Sequence, residues 1–205
     1  MTEMQQAATH TSFEPRIVAF LCKWCSSTAA DLAGTSRIQY PPTTRLIRTM
    51  CSGRVDPAFV WEAFQQGAPV VLVSGCHYAD CHYISANRQT VRRVDRLWDA
   101  LEKQGIRPER LQLEWVSAAE GQKWARVVQG LEELRASVTP EEIARTQEAL
   151  AGKKAPYPKV WKGSVRVESS FKCLRCGHAW EQSYDLAYDE RLCPNCRSNS
   201  VRWLE

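Results

Sequence analysis

The sequence predicts an α/β protein: an open, mostly parallel sheet with helices on both faces, followed by a small cysteine-bearing module. Two observations predict the sheet. First, short apolar runs rich in β-forming residues recur along the first 150 residues. Second, amphipathic segments alternate with these runs, and this alternation is typical of parallel sheets whose crossover helices cover both faces. A third observation predicts the module, because four of the nine cysteines lie in two Cys-x-x-Cys pairs near the C-terminus.

Four short apolar runs rich in β-branched residues are the predicted strands. In chain order they are residues 17–22, 44–51, 69–76 and 110–117. The amphipathic or capped segments between and after them are the predicted helices. In chain order they are a short helix at 31–34, one from Pro57 to Gly67, one over 86–104, one from Ser117 through Leu134, and one from Thr139 to Gly152. This order predicts a four-stranded, flavodoxin-like core.

Three of these helices carry an N-terminal signal. Asp56 is a cap residue followed by proline at the first helical position. Ser117 and Glu120 have the spacing of a capping box. Thr139 precedes a proline and two glutamates, which favour a helix start.

The chain divides into four parts on this pattern. Residues 1–15 are expected to be a flexible terminus, residues 16–138 a cluster-bearing sheet domain, residues 139–160 a helix and linker, and residues 161–205 the cysteine module. Residues 153–158 contain lysines and prolines and are interpreted as the linker.

Composition excludes several classes of protein. The chain has 205 residues, of which 44% are hydrophobic and 24% charged, so it is not globally disordered. No apolar stretch is long enough to span a bilayer, and the polar N-terminus lacks the apolar core of a signal peptide. The net charge of +4 arises beyond residue 150, since the preceding part is neutral. We therefore expect a cytoplasmic protein with no membrane span and no nucleic-acid partner.

Five cysteines fall near the predicted strand ends. Cys22, Cys51 and Cys76 each end a strand, Cys25 lies three residues after Cys22, and Cys81 lies five residues after Cys76. The carboxyl ends of parallel strands form one rim, so all five are candidates for one site. An odd cysteine count without a signal peptide favours metal binding or redox chemistry over a disulfide framework.

Several kinds of site fit these five thiols. A single buried cysteine is an apolar core residue, Cys22 and Cys25 match a thioredoxin-like redox pair, and residues 26–28 offer hydroxyl groups to a flavin mononucleotide phosphate. Structural zinc normally uses paired short knuckles. Thiols gathered from several strand ends favour an iron–sulfur cluster. His77 and His82 flank the third loop and are candidates for mixed ligation or for hydrogen bonding around the sulfurs.

Five short sequence motifs that follow one another along the chain together indicate a protein family. They are Cys22-Lys-Trp-Cys-Ser26, Ala30-Asp-Leu-Ala-Gly34, Arg37-Ile-Gln-Tyr-Pro41, Met50-Cys-Ser-Gly-Arg-Val55 and Gly75-Cys-His-Tyr-Ala-Asp-Cys-His-Tyr83. Over about residues 16–138 the chain resembles the small iron–sulfur (delta) subunit of methyl-viologen-reducing hydrogenase. The resemblance implies a [2Fe–2S] cluster. It also implies electron transfer between a hydrogenase or formate dehydrogenase and the flavin subunit of heterodisulfide reductase.

A cluster needs four of the five thiolates. The preferred ligands are Cys22, Cys51, Cys76 and Cys81, with Cys25 as the spare. No catalytic residue is predicted. We expect the loops after the strands to form a partner interface through exposed aromatic and arginine side chains, at Trp24, Arg54, Tyr78 and Tyr83.

The C-terminal cysteines have the spacing of a zinc ribbon. The four predicted ligands are Cys173, Cys176, Cys193 and Cys196. Zinc is the preferred metal, and a rubredoxin-like iron is the alternative. Two other functions stay open: a standalone dithiol oxidoreductase using Cys22 and Cys25, and a zinc-ribbon regulatory or nucleic-acid-binding protein. Nucleic acid would be contacted through Arg166, Lys172, Arg175, Arg191, Arg197 and Arg202.

Overall fold

A computed structural model describes residues 16–157, 166–185 and 189–204. The predicted flexible terminus, residues 1–15, and Pro158 of the predicted linker lie outside the described residues. The described chain forms a sheet domain and a small second sheet. The α/β class predicted from the sequence is confirmed.

The main sheet has four parallel strands in the order β2-β1-β3-β4. They are β1 (Ile17–Cys22), β2 (Thr44–Thr49), β3 (Val71–Gly75) and β4 (Leu111–Trp115). Strands β1 and β3 are central and apolar, as strands buried on both faces should be. Strand β2 is an edge whose middle residues are exposed. All four carboxyl ends therefore lie on one rim.

Five helices cover both faces of this sheet. They are α1 (Ser26–Thr35), α2 (Pro57–Gln65), α3 (Ala86–Lys103), α4 (Gly121–Ala136) and α5 (Pro140–Leu150). The helices α1 and α4 pack on one face with the side chains of Ala19 and Leu72. The helices α2 and α3 pack on the other with Phe20 and Val73. Within the described residues, no helix is both long and apolar enough to cross a membrane.

Two helices begin elsewhere than the sequence predicts. Helix α1 begins at Ser26, earlier than the predicted 31–34, because its alanines bury a small-residue face against the sheet. Helix α4 begins at Gly121 rather than next to Ser117. The Ser117 amide donates to the Glu120 side chain at 2.7 Å, so only half of the predicted capping box forms. A Cβ on Gly121 would lie 3.1 Å from the backbone nitrogen of Ala33, so glycine allows α1 and α4 to approach closely here.

The C-terminal module is an antiparallel sheet with the order β6-β5-β7. Its strands are β5 (Arg166–Cys173), β6 (Ala179–Asp185) and β7 (Val201–Leu204). We call this module the ribbon. Its fully buried core is small and contains two cysteines; it consists of Phe171, Cys173, Tyr184, Cys193 and Val201.

The ribbon covers the open edge of β4. The amide of Leu113 donates to Ser200 Oγ at 2.9 Å, and the amide of Trp115 donates to Asn199 Oδ1 at 3.2 Å. Leu174 of the ribbon is buried in the core of the sheet domain. The ribbon thus satisfies edge amides that would otherwise need water or another strand.

Candidate functional site

The rim of the main sheet carries five cysteines. Cys22 ends β1, Cys25 is the residue before α1, Cys51 follows β2, and Cys76 follows β3. Cys81 follows a short 3-10 turn at Tyr78–Asp80. The first four are buried, and Cys81 is partly exposed. The strands β2 and β3 end one or two residues earlier than predicted, so Cys51 and Cys76 lie in the loops just beyond them.

Three of these thiols form a tight cluster. The Sγ atoms of Cys22, Cys25 and Cys76 all lie within 4.8 Å of one another. Cys22 Sγ is 3.7 Å from Cys25 Sγ and 3.8 Å from Cys76 Sγ. Cys25 and Cys76 are joined by a disulfide, with their Cα atoms 5.5 Å apart. Cys81 packs against this group. Cys25, the expected spare, lies inside the cluster, and it is bonded to Cys76 rather than to Cys22.

Cys51 approaches the cluster from the side of Cys22. A hydrogen bond from the Cys51 thiol lowers the pKa of Cys22 to about 6, although burial opposes this shift. The same hydrogen bond, together with burial, raises the pKa of Cys51. The Gly53 amide also donates to Cys51 Sγ at 3.4 Å. Cys22 is therefore the thiol of this pair that ionises first.

A glycine permits the loop of Cys51 to lie against the end of β3. A Cβ on Gly75 would lie 2.5 Å from Ser52 Oγ and 3.1 Å from the ring of Trp115. Any larger residue at position 75 would push the Cys51 loop away from Cys76. The approach of these two segments thus depends on the absence of a side chain.

The donors at the rim suit an iron–sulfur cluster. They are all sulfur, they come from separate loops, and thiolates are the usual ligands of such clusters. Ser26 does not offer its hydroxyl to a flavin phosphate, because it is fully buried and Ser74 Oγ donates to Ser26 Oγ at 2.9 Å. The hydroxyl of Ser26 is therefore used inside the fold, which disfavours the flavin alternative.

The loop between Cys76 and Cys81 is held by carboxylates. His77 Nδ1 lies 2.8 Å from Glu190 Oε1, and His77 Nε2 lies 2.9 Å from Glu120 Oε2. The hydrogen bond to Glu190 raises the pKa of His77; burial opposes this, and Glu120 adds to it. With both ring nitrogens facing carboxylates, His77 is occupied by hydrogen bonds rather than free to bind metal.

The outer surface of the rim is aromatic. His82 stacks on Trp24 with ring centroids 3.9 Å apart, and Trp24 Nε1 donates to the Tyr83 hydroxyl at 3.4 Å. Trp24 and Tyr83 are exposed, and Ile84 beside them is 84% exposed. Ile84 also has a φ of 65°, which is costly for a β-branched residue. The expectation of an exposed Tyr78 is wrong: Tyr78 is buried and its ring lies against Trp115.

The ribbon holds the second group of thiols. The Sγ atoms of Cys173, Cys176, Cys193 and Cys196 lie within 4.8 Å of one another. Burial raises the pKa of Cys173 and raises that of Cys196 to about 11. Burial also opposes ionisation of Cys176, but the His178 amide and the Asn195 side chain lower its pKa to about 7. The geometry brings four sulfur donors to one point, as a tetrahedral metal requires.

Three of the six basic residues suggested for nucleic acid turn inward. Arg175 lies 3.5 Å from Glu114, and Arg191 lies 2.6 Å from Asp95. Arg202 bridges Asp99 and Glu102. These arginines attach the ribbon to the sheet domain, so they do not form an open basic surface.

Sequence reasoning missed the polar residues that surround the rim. Glu120 appears in the sequence only as a capping signal, and Asn87 only as part of a helix. Asn87 Nδ2 donates to the carbonyls of Cys76 and His77 at 3.2 and 3.0 Å. Glu190 is 113 residues from His77. No local pattern could have paired it with that histidine.

The sequence of the sheet domain matches a known protein family. Residues 17–136 match the family model of the methyl-viologen-reducing hydrogenase delta subunit. The chain belongs to this family. The resemblance seen in the sequence is confirmed, and the ribbon lies beyond the residues that define the delta-subunit family.

Two delta-subunit relatives match most of their own length. The iron–sulfur subunit of the F420-non-reducing hydrogenase vhc of Methanococcus voltae is 50% identical over 113 residues, covering 55% of this chain and 78% of the relative. The iron–sulfur subunit of an F420-non-reducing hydrogenase of Archaeoglobus profundus is 49% identical over 116 residues, covering 57% of this chain and 85% of the relative.

A third relative is much longer. It is one of the subunits of a ferredoxin/F420H2-dependent CoB-CoM heterodisulfide reductase of Methanosarcina acetivorans, and it is 48% identical over 128 residues. The match covers 62% of this chain but only 16% of that protein. A domain of the delta-subunit family therefore also occurs within a heterodisulfide reductase polypeptide.

Proposed function

We propose that this chain is an electron-transfer subunit that carries an iron–sulfur cluster, most simply a [2Fe–2S] cluster, at the rim of its parallel sheet. The observation that carries the proposal is the convergence of Cys22, Cys25 and Cys76 within 4.8 Å, with Cys81 packed against them. Membership of the delta-subunit family supports it, and relatives in that family are named iron–sulfur subunits. When bound, the cluster supplies one-electron transfer.

The distances favour a ligand set that differs from the one preferred from sequence. Cys22, Cys25 and Cys76 are the best candidates for three ligands. Cys51 and Cys81 compete for the fourth position. All the ligands must be free thiolates, so cluster binding and the Cys25–Cys76 disulfide exclude each other. A hydrogen bond from Cys51 lowers the pKa of Cys22, which favours the thiolate form that a metal ligand needs.

The partners we propose are a heterodisulfide-reductase-like flavin subunit and a hydrogenase or formate dehydrogenase. The longer relative supports the first, because there a domain of the same family lies within a heterodisulfide reductase polypeptide. The surface formed by Trp24, Tyr83 and Ile84 supports direct docking. These residues adjoin Cys25 and Cys81, and aromatic residues are enriched in interfaces. Docking there would bring a partner's redox centre next to the cluster.

We propose that zinc occupies the ribbon. Its four cysteines come from two knuckles and meet at one point, as in structural zinc sites. The buried core around them is too small to fold unaided. A redox-active iron at these cysteines would contradict the assignment.

The test is anaerobic purification of the full chain with metal and sulfide analysis. We expect brown protein with about two iron and two sulfide per chain, plus one zinc. Single Cys→Ser changes at positions 22, 25, 51, 76 and 81 should separate four ligands from one dispensable thiol. The matched control is Cys176→Ser, which should release zinc but leave all five rim thiols able to assemble the cluster. Colourless, iron-free protein that cycles a dithiol at Cys25 and Cys76 would overturn the proposal and favour a dithiol oxidoreductase.

A further inference from the structure

A carboxylate of the ribbon reaches into the rim of the sheet domain. Glu190 Oε1 lies 2.8 Å from His77 Nδ1, and the Tyr78 amide donates to Glu190 Oε2 at 3.1 Å. His77 and Tyr78 directly follow Cys76 and begin the loop that leads to Cys81. One ribbon side chain therefore holds both the side chain and the backbone of this loop.

Glu190 is itself held by the second knuckle. Asn199 Nδ2 donates to Glu190 Oε1 at 3.1 Å and to the carbonyl of Arg191 at 2.9 Å. Asn199 also accepts from the Trp115 amide at the edge of β4. Asn199 follows Cys196 by three residues, and Glu190 precedes Cys193 by three. The pair therefore brackets a knuckle whose shape depends on the ribbon metal.

The remaining supports of the loop come from the sheet domain. Glu120 contacts the other ring nitrogen of His77, and Asn87 donates to the backbone carbonyls of Cys76 and His77. Both sit at the starts of sheet-domain helices, which need no ribbon metal. Of these three supports, Glu190 alone depends on the ribbon.

We propose that Glu190 is a positioning residue for the iron–sulfur cluster, through which the metal-loaded ribbon fixes the Cys76–Cys81 loop. The inference rests on the proposed function. It gives the ribbon, which the family pattern does not contain, a role in the cluster site: the ribbon keeps the thiols of Cys76 and Cys81 in place. Loss of the Glu190 carboxylate should loosen the loop, distort the cluster and open it to solvent, without removing any sulfur ligand.

The test uses the full-length protein purified without oxygen, with Glu190→Ala, Glu190→Gln and Glu190→Asp variants. The readouts are the electron paramagnetic resonance spectrum of the reduced cluster, its midpoint potential, and the rate of iron loss to a ferrous chelator. Glu181→Gln is the matched control, because Glu181 is an exposed glutamate of the same ribbon. Zinc content reports whether the ribbon remains folded.

We expect Glu190→Ala to lose iron about tenfold faster than the unsubstituted chain, as for the loss of an outer partner of a metal site, and to show an altered spectrum. The glutamine of Glu190→Gln can still accept from the Tyr78 amide, so its rate of iron loss should lie between those of Glu190→Ala and the unsubstituted chain. Glu190→Asp keeps a carboxylate and should restore part of the unsubstituted spectrum. Glu181→Gln should match the unsubstituted chain. If Glu190→Ala also loses zinc, its ribbon is no longer folded. The Glu190→Gln variant is then the one compared with the unsubstituted chain. Unchanged spectrum, potential and iron loss in the zinc-loaded variants would overturn the inference. Iron-free unsubstituted protein would instead overturn the proposed function and this inference with it.

Discussion

The two cysteine groups of this molecule differ in what supports them. The ribbon thiols lie around a core of five buried residues, and two of the four thiols, Cys173 and Cys193, are part of that core. The rim thiols lie at the end of a four-stranded sheet with a large apolar core on each face. We therefore expect the ribbon to need a bound metal in order to fold, whereas the rim has a packed domain beneath it that should fold without a cluster. On the proposed function, cysteines serve stability in the ribbon and electron transfer at the rim.

The groups also differ in how the chain brings them together. The ribbon ligands arrive as two pairs, each pair three residues apart. The rim thiols arrive from three strand ends, and Cys22 and Cys76 are 54 residues apart. A local motif is enough to build the first site, while the second requires the whole sheet.

The largest effect should follow from breaking the ribbon site. Cys173→Ser removes a fully buried ligand, and structural zinc contributes roughly 10 kcal/mol or more to the folding of such modules. We expect loss of zinc and rapid proteolysis within residues 166–204, with the sheet domain left intact. Limited proteolysis followed by mass spectrometry measures this. If the ribbon of Cys173→Ser protein resists proteolysis, then the ribbon folds without its metal and does not differ from the rim in this respect.

A change at the rim should remove iron completely and yet leave the fold in place. Cys22→Ser should abolish iron binding yet leave the sheet domain folded, because it changes one atom in a well-packed core. We expect a loss of about 1–2 kcal/mol in the free energy of unfolding, as for a polar group placed at a buried apolar site. Circular dichroism during thermal unfolding, beside iron analysis, measures both. Global unfolding of this variant would show that the rim, like the ribbon, needs its cofactor to fold.

The contact between the two regions can be weakened directly. Asp95→Asn leaves the buried Arg191 guanidinium without its charged partner, which lies 2.6 Å away. Breaking such a pair costs about 3 kcal/mol. We expect faster hydrogen exchange in the ribbon and little change in the centre of the sheet. Uniformly faster exchange across both regions would mean that they unfold as one unit. The matched control is Asp99→Asn, whose partner Arg202 keeps Glu102.

The smallest effect comes from an exposed ion pair on the same contact. The hydrogen bond from Arg202 lowers the pKa of Glu102. Its contribution to stability is therefore present above the unfolded-state pKa of Glu102 and is lost as the pH falls through the lower, folded-state value. Glu102 is exposed, so Glu102→Gln should cost at most about 0.5 kcal/mol at pH 7 and less than that at pH 3. Urea unfolding at pH 7 and at pH 3 measures the loss of stability in this variant. Equal losses at the two pH values would show that the charge of Glu102 is not their cause.

The sequence alone determined the local features of this protein. Hydrophobic periodicity, helix caps and helix-terminating glycines act over a few residues. They therefore predicted the four strands close to their observed positions, with Cys22, Cys51 and Cys76 at or just beyond strand ends. The Cys-x-x-Cys spacing likewise predicted the ribbon, because both members of each pair lie on one turn.

Which distant groups meet depends on how the helices, strands and ribbon pack together. The cluster takes in Cys25, because the chain turns into α1 at that residue and brings its thiol back to Cys22 and Cys76. The helix α4 begins at Gly121 rather than directly after Ser117, and Glu120 Oε2 contacts both the Ser117 amide and His77 Nε2. The pairing of Glu190 with His77 depends on the docking of the ribbon along β4, 113 residues away in the chain. Local propensities act over one or two turns, whereas such contacts depend on packing that the whole fold must first create.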